Sequence, residues 1–296
     1  MDRKGFLRKG LLVWGAILSA PLLARKVRLK ESNYDKLLNN VGFTHQEAIQ
    51  KINNNKSTNM NTVYHPANSR GHADHGWLNS HHTFSFANYH NPDRMNFGVL
   101  RVLNDDKVHA GGGFGTHPHD NMEIISIPLK GDLEHKDSMG NVAVIKEGDV
   151  QVMSAGTGIF HSEYNRNKDK EVEFLQIWVF PDKKNHSPRY DQISIANIKK
   201  KNDFYQILSP NQKDQGVWIN QKAWFNMADF DKETIIDYTL NDKNNGVYFF
   251  VLEGEVSIES KDLNKRDGFG VWSKEKISLK AKANARILAM EVPMEL

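Results

Sequence analysis

The 296-residue sequence contains no cysteine. Disulfides, thiolate zinc sites, iron–sulfur clusters and a cysteine nucleophile are thereby excluded, and any metal must be held by His, Asp or Glu. A long apolar run is missing too: the stretch from Gly10 to Ala24 is too short for a comfortable membrane span. Nor does the body carry a basic excess. Residues 1–59 hold 11 Lys and Arg against 4 Asp and Glu, which leaves 28 against 32 for residues 60–296. A nucleic-acid binder shows its positive charge on the folded body, so no nucleic-acid partner is expected. Histidine ends at His186, and the remainder of the chain has no imidazole.

The N-terminus, "MDRKGFLRKGLLVWGAILSAPLLARK", has a basic start and an apolar segment of signal-peptide length. It resembles a twin-arginine export leader, with Arg3-Lys4 in place of two arginines and Phe6-Leu7 following. Leu22 puts a large residue at position −3 of a poor cleavage site after Ala24. The expectation is an exported, periplasmic protein touching the membrane only through residues 1–24, with a cytoplasmic location as the alternative. Residues 25–59 read as a polar linker with one possible helix, ending in "NNNKSTNMN".

From Thr62 the pattern changes to short alternating runs separated by Gly, Asn and Asp. "FGVLRVL" (97–103), "MEIISIPL" (122–129), "EFLQIWVF" (173–180) and "ARILAMEV" (285–292) are examples. Such spacing predicts an all-β fold of sandwich or barrel type. The chain also repeats itself. "MEIISIPLKGDLEHKDS" with "VIKEGDVQVMSAG" matches "VYFFVLEGEVSIES" with "LNKRDGFGVWSKE" in its order of strands and glycine turns. Two β-barrel domains follow, at 60–185 and 186–296, and only the first has the histidines for a metal.

Alternate residues of a strand share a face about 7 Å apart, close enough to meet at one ion. His117 and His119 in "GGGFGTHPHDNMEII" satisfy this, as do His161 and Glu163 in "GTGIFHSEYN". Two such pairs on neighbouring strands would bring three imidazoles and one carboxylate together. That donor set suits Fe(II), Mn, Ni, Cu or Zn and leaves open positions for O2 or a chelating substrate. Glu123, counted at the same parity as His119, could reach the ion or orient an imidazole from outside. The glycines before His117 read as a tight turn. Ser162 faces away from His161, which weakens a serine hydrolase reading. The cluster containing His72, His75, His81 and His82 lacks strand spacing and reads as turn-forming and hydrogen-bonded.

Five blocks in order, "RGHADHGWLNSHHTFSFANY", "GGGFGTHPHDNMEII", "GDLEHKDSMGN", "GDVQVMSAGTGIFHSEYN" and "FVLEGEV…RDGFGVW…EVPM", resemble the pirin family, a bicupin branch of the cupin superfamily. The resemblance runs from about residue 60 to the C-terminus. It implies two antiparallel β-barrels face to face, with a metal in the N-terminal barrel only. The family's ligands fall on His117, His119, His161 and Glu163, which makes Glu123 a pocket residue. Relatives often have Arg after the second histidine, where this chain has Asp120-Asn121. The function implied is an Fe(II)-dependent dioxygenase of the quercetin 2,3-dioxygenase type, using O2 and an aromatic or enolisable small molecule. Glu163 would take the substrate proton. A non-catalytic iron-dependent binding or redox-sensing module, or a metal-dependent isomerase or hydrolase, uses the same ligands.

Overall fold

The computed structural model describes residues 60–296, so the expected leader and the linker with its possible helix lie outside the described residues. The first half of this region forms twelve strands. They are β1 (Asn61–His65), β2 (Gly71–Asp74), β3 (Leu78–His82), β4 (Leu100–Val108), β5 (Gly113–His119) and β6 (Glu123–Lys130). After them come β7 (Leu133–Asp137), β8 (Val142–Ile145), β9 (Asp149–Ser154), β10 (Ile159–Asn165), β11 (Val172–Val179) and β12 (Arg189–Ser194). Ten further strands occupy residues 204–293. The fold is all-β and two-unit, as the alternation and the internal repeat predict.

Each unit pairs a seven-stranded sheet with a four-stranded one, and the hydrogen-bond ladders do not close them into one continuous barrel. In the first unit the orders are β12-β9-β6-β11-β4-β3-β2 and β5-β10-β7-β8. The units exchange edges. β1 pairs with the strand Gly268–Trp272 of the second unit, and β12 pairs with β9 of the first. Two edge strands thus find their partners across residues 185/186, the line that the sequence suggests between the two barrels.

The two large sheets pack face to face over one apolar core. Leu103, Ile125, Val152 and Ile177 come from one side, and Phe225, Tyr248, Phe250 and Leu288 from the other. Each such side chain contributes about 1.5–3 kcal/mol by leaving water, so the halves act as one compact body. Alternation then fixes the opposite face. Odd residues of β6, such as Ile125 and Ile127, enter the shared core. Even ones turn into the first unit, where Ile124 packs with Met153 and Ile159.

Candidate metal centre and its cavity

β10 alternates inward Ile159, His161, Glu163 and Asn165 with outward Phe160, Ser162 and Tyr164. Its neighbour β5 places His117 directly opposite His161. A bulge between His161 and Glu163 shifts the register, so that Glu163 faces Phe114 and Tyr164 faces Gly113. Glycine is needed at position 113 by close approach, since a Cβ there would clash with the Glu163 carbonyl oxygen. The turn leading in uses Gly111 at φ +69°, the left-handed conformation expected of this glycine run.

The ring centroids of His117, His119 and His161 lie 4.4–4.9 Å apart. Their ligand nitrogens fall within 4.8 Å of one another. His117 Nδ1 sits 2.8 Å from the Gly115 carbonyl, so its N–H is donated there and Nε2 is free to coordinate. His161 is only 2% exposed, yet neither ring nitrogen has a hydrogen-bond partner. Burial first, then the neighbouring histidines, hold its pKa down to about 2. Burial and His117 hold His119 at about 4. Two unused ring nitrogens on a buried His161, facing the rings of His117 and His119, are costly without a cation. The residues present therefore fit a bound metal.

Glu163 joins His161 in a second, overlapping group. Its carboxylate accepts from Ser126 Oγ at 3.0 Å and Gln176 Nε2 at 2.6 Å. Burial raises its pKa to about 7 against those two hydrogen bonds. Ser126 Oγ also lies 3.0 Å from Gln176 Oε1, so one hydroxyl proton faces two acceptors. A proton on Glu163 donated to Ser126 Oγ resolves this, because Ser126 can then donate to Gln176. Metal-free, the trio is complete with the acid neutral; with a cation present the carboxylate has a positive partner instead.

The third member of that second group is His135, which the sequence reading missed. It lies fully buried on β7 opposite Glu163. Its Nε2 is 3.1 Å from Asp137 Oδ2, and its Nδ1 is unpartnered. The i, i+2 rule applied to His135-x-Asp137 in "LEHKDS" would have found this carboxylate-held imidazole.

Glu123 corrects an expectation, for it does not stand in the pocket. Its carboxylate receives Ser154 Oγ at 2.7 Å and Asn220 through both backbone N–H and Nδ2. It faces the second unit with the other odd residues of β6. Counting parity from His119 fails because β5 ends there and Asn121 takes a left-handed φ of +46°. That conformation suits Asn, and Asn121 Oδ1 accepts from the Asn185 backbone N–H at 2.7 Å. Asp120 is exposed beside this turn. The unfamiliar Asp-Asn pair thus makes and tethers a turn.

The second histidine cluster also differs from expectation. His72 and His81 lie on paired strands β2 and β3, stacked with centroids 4.6 Å apart. His82 is buried on β3 with Nδ1 unpartnered, not hydrogen-bonded in a turn. It lines a cavity of about 550 Å³ that reaches His117, His119 and Glu163 and has aromatic walls including Phe86, Phe114 and Trp178.

Comparison with known proteins agrees with this architecture. The Pirin family profile matches residues 63–179, and that of the quercetinase C-terminal cupin domain matches residues 206–292. An Escherichia coli K12 protein named quercetin 2,3-dioxygenase is 40% identical over 228 residues, 77% of this chain and 96% of that protein. The crystal structure of the Escherichia coli pirin YhhW with nickel(II) superposes with a TM-score of 0.74 at 39% identity, covering 79% of this chain and 99% of that one. A quercetin 2,3-dioxygenase structure from Acinetobacter baumannii shares the fold at TM-score 0.65 and 18% identity, covering 81% of each chain.

Proposed function

Because this chain belongs to the pirin family, we propose that it is a mononuclear non-haem iron(II) dioxygenase of the quercetin 2,3-dioxygenase type. Its substrate is an aromatic or enolisable small molecule able to chelate the metal through adjacent oxygens. The observation that carries this reading is buried His161, with neither ring nitrogen partnered, grouped with His117 and His119 on one side and with Glu163 on the other, beside an aromatic-walled cavity. His117, His119, His161 and Glu163 hold the ion. A bound metal supplies Lewis-acid activation of the chelated oxygens and open positions for O2.

The chain's own groups do the rest. Trp178, 4.9 Å from the His119 ring centroid, gives an aromatic substrate a face to pack on. Glu163 is placed to take the proton of an enolic hydroxyl at a carboxylate oxygen not engaged by the ion. Ser126 and Gln176 fix the carboxyl orientation on arrival of that proton. The nickel(II) complex of the Escherichia coli relative supports a divalent ion in such a site, and iron is our assignment.

Oxygen uptake by anaerobically purified, iron-loaded protein on adding quercetin tests the proposal. Stoichiometric uptake that disappears in His161→Ala is expected. One iron per chain with no uptake over a panel of flavonols and catechols would overturn the dioxygenase reading and leave a binding module.

A further inference from the structure

The large sheet of the first unit carries a row of polar side chains that its apolar surroundings do not explain. His82 on β3 pairs with Asn104 on β4, Asn104 pairs with Gln176 on β11, and Gln176 pairs with Ser126 on β6. One end of the row belongs to the metal centre, since Gln176 and Ser126 both bond Glu163. The other end does not. His82 and Asn104 are only 4% and 2% exposed. His82 Nδ1 and Asn104 Oδ1 have no hydrogen-bond partner, although both residues line the cavity that reaches the metal ligands.

Buried polar atoms are almost always matched, so two unmatched ones side by side in a cavity wall call for a ligand. Neighbouring strands stand about 4.8 Å apart. His82, two strands from Gln176, is therefore about 10 Å from the residue that grips Glu163. Burial keeps the imidazole neutral, so it presents one N–H and one lone pair, while Asn104 Oδ1 only accepts. Together they suit a hydroxyl, which can donate to Asn104 and accept from His82. Between the two ends, Phe86 and Trp178 stand edge to face with centroids 5.3 Å apart, forming an aromatic wall.

We propose that His82 and Asn104 form a second recognition point in the pocket, selecting planar substrates at least two rings long that carry a hydroxyl at the end remote from the metal-chelating oxygens. This rests on the dioxygenase reading for the chelating end, while the remote end follows from this chain's own unmatched atoms. A ligand that displaces solvent from the cavity must supply hydrogen bonds to those atoms itself. An analogue without the remote hydroxyl leaves them unmade and binds more weakly.

The test compares quercetin with 3-hydroxyflavone, which keeps the chelating oxygens and lacks the remote hydroxyls. Dissociation constants for the metal-loaded full chain are read anaerobically from quenching of tryptophan fluorescence, with Trp77 and Trp178 in the cavity wall as reporters. Quercetin should bind at least tenfold more tightly. His82→Leu and Asn104→Leu should each reduce that ratio to within about threefold. The two changes lie on separate strands, so if one variant fails to fold the other still decides. A ratio near one in the native protein, or a ratio unchanged in the folded variants, would overturn the proposal, as would failure to bind either probe. Discrimination without oxygen uptake would uphold the recognition point and refute the dioxygenase reading. Uptake without discrimination would do the reverse.

Discussion

Glu163→Gln should have opposite effects on the metal-free and metal-loaded protein. Burial raises the Glu163 pKa from 4.5 to about 7, so the folded state holds this proton more tightly than the unfolded chain. Below pH 4.5 the acid is neutral in both states and costs nothing. As pH rises through 7 the folded protein must bury a carboxylate, and stability falls. At about 1.36 kcal/mol for each tenfold change in proton affinity, the loss above pH 7 is about 3 kcal/mol. Gln avoids it, because its amide N–H can donate to Ser126 Oγ as the neutral acid does. For a body of this size that energy corresponds to about 6–12 °C in Tm. EDTA-treated protein melted between pH 5 and 8.5 should show the variant gaining over the native chain as pH rises, with little difference at the acid end. With metal added the order should reverse, since the variant lacks the anionic ligand. A metal-free variant no more stable than the native protein at pH 8 would refute the argument that Glu163 is buried at a cost only a cation relieves.

Gly113→Ala would press a Cβ against the Glu163 carbonyl at the β5–β10 bulge. It should cost about 1–3 kcal/mol in urea denaturation and weaken metal affinity about tenfold or more in competition with a chelator. Tyr248→Phe removes the hydroxyl 2.8 Å from the buried His65 Nδ1, on strands from the two halves of the sequence. Leaving that nitrogen unmatched should lower stability by about 1–2 kcal/mol, a Tm fall of about 2–8 °C. Asp137→Ala deletes the acceptor for Met139 N–H, both Asn141 donors and His135. A loss of at least about 2 kcal/mol is expected by urea denaturation. Unchanged denaturation midpoints in these variants would show that the bonds or contacts described carry no weight.

Within single unbroken strands, local pattern was enough to predict geometry. Counting by two puts His117 with His119 and His161 with Glu163, and the fold brings these pairs onto adjacent strands because the ladder sets His117 opposite His161. The same count misled for Glu123, because it ran through the left-handed turn at Asn121. His135 escaped notice since its nearness to Glu163 depends on register with a strand 28 residues further on. His82 reads as turn-forming in the sequence because its cluster lacks i, i+2 histidine spacing, whereas Ser80 and His82 alternate inward on β3. The exchange of β1 and β12 between units is a long-range pairing with no local signature.

We propose that His117, His119, His161 and Glu163 form one metal site. Metal analysis of native protein and His161→Ala, both purified anaerobically in parallel, tests it most directly. One divalent ion per native chain, with iron in excess over other metals, and essentially none in the variant are expected. A metal-free native protein, or equal metal content in the folded variant, would contradict it.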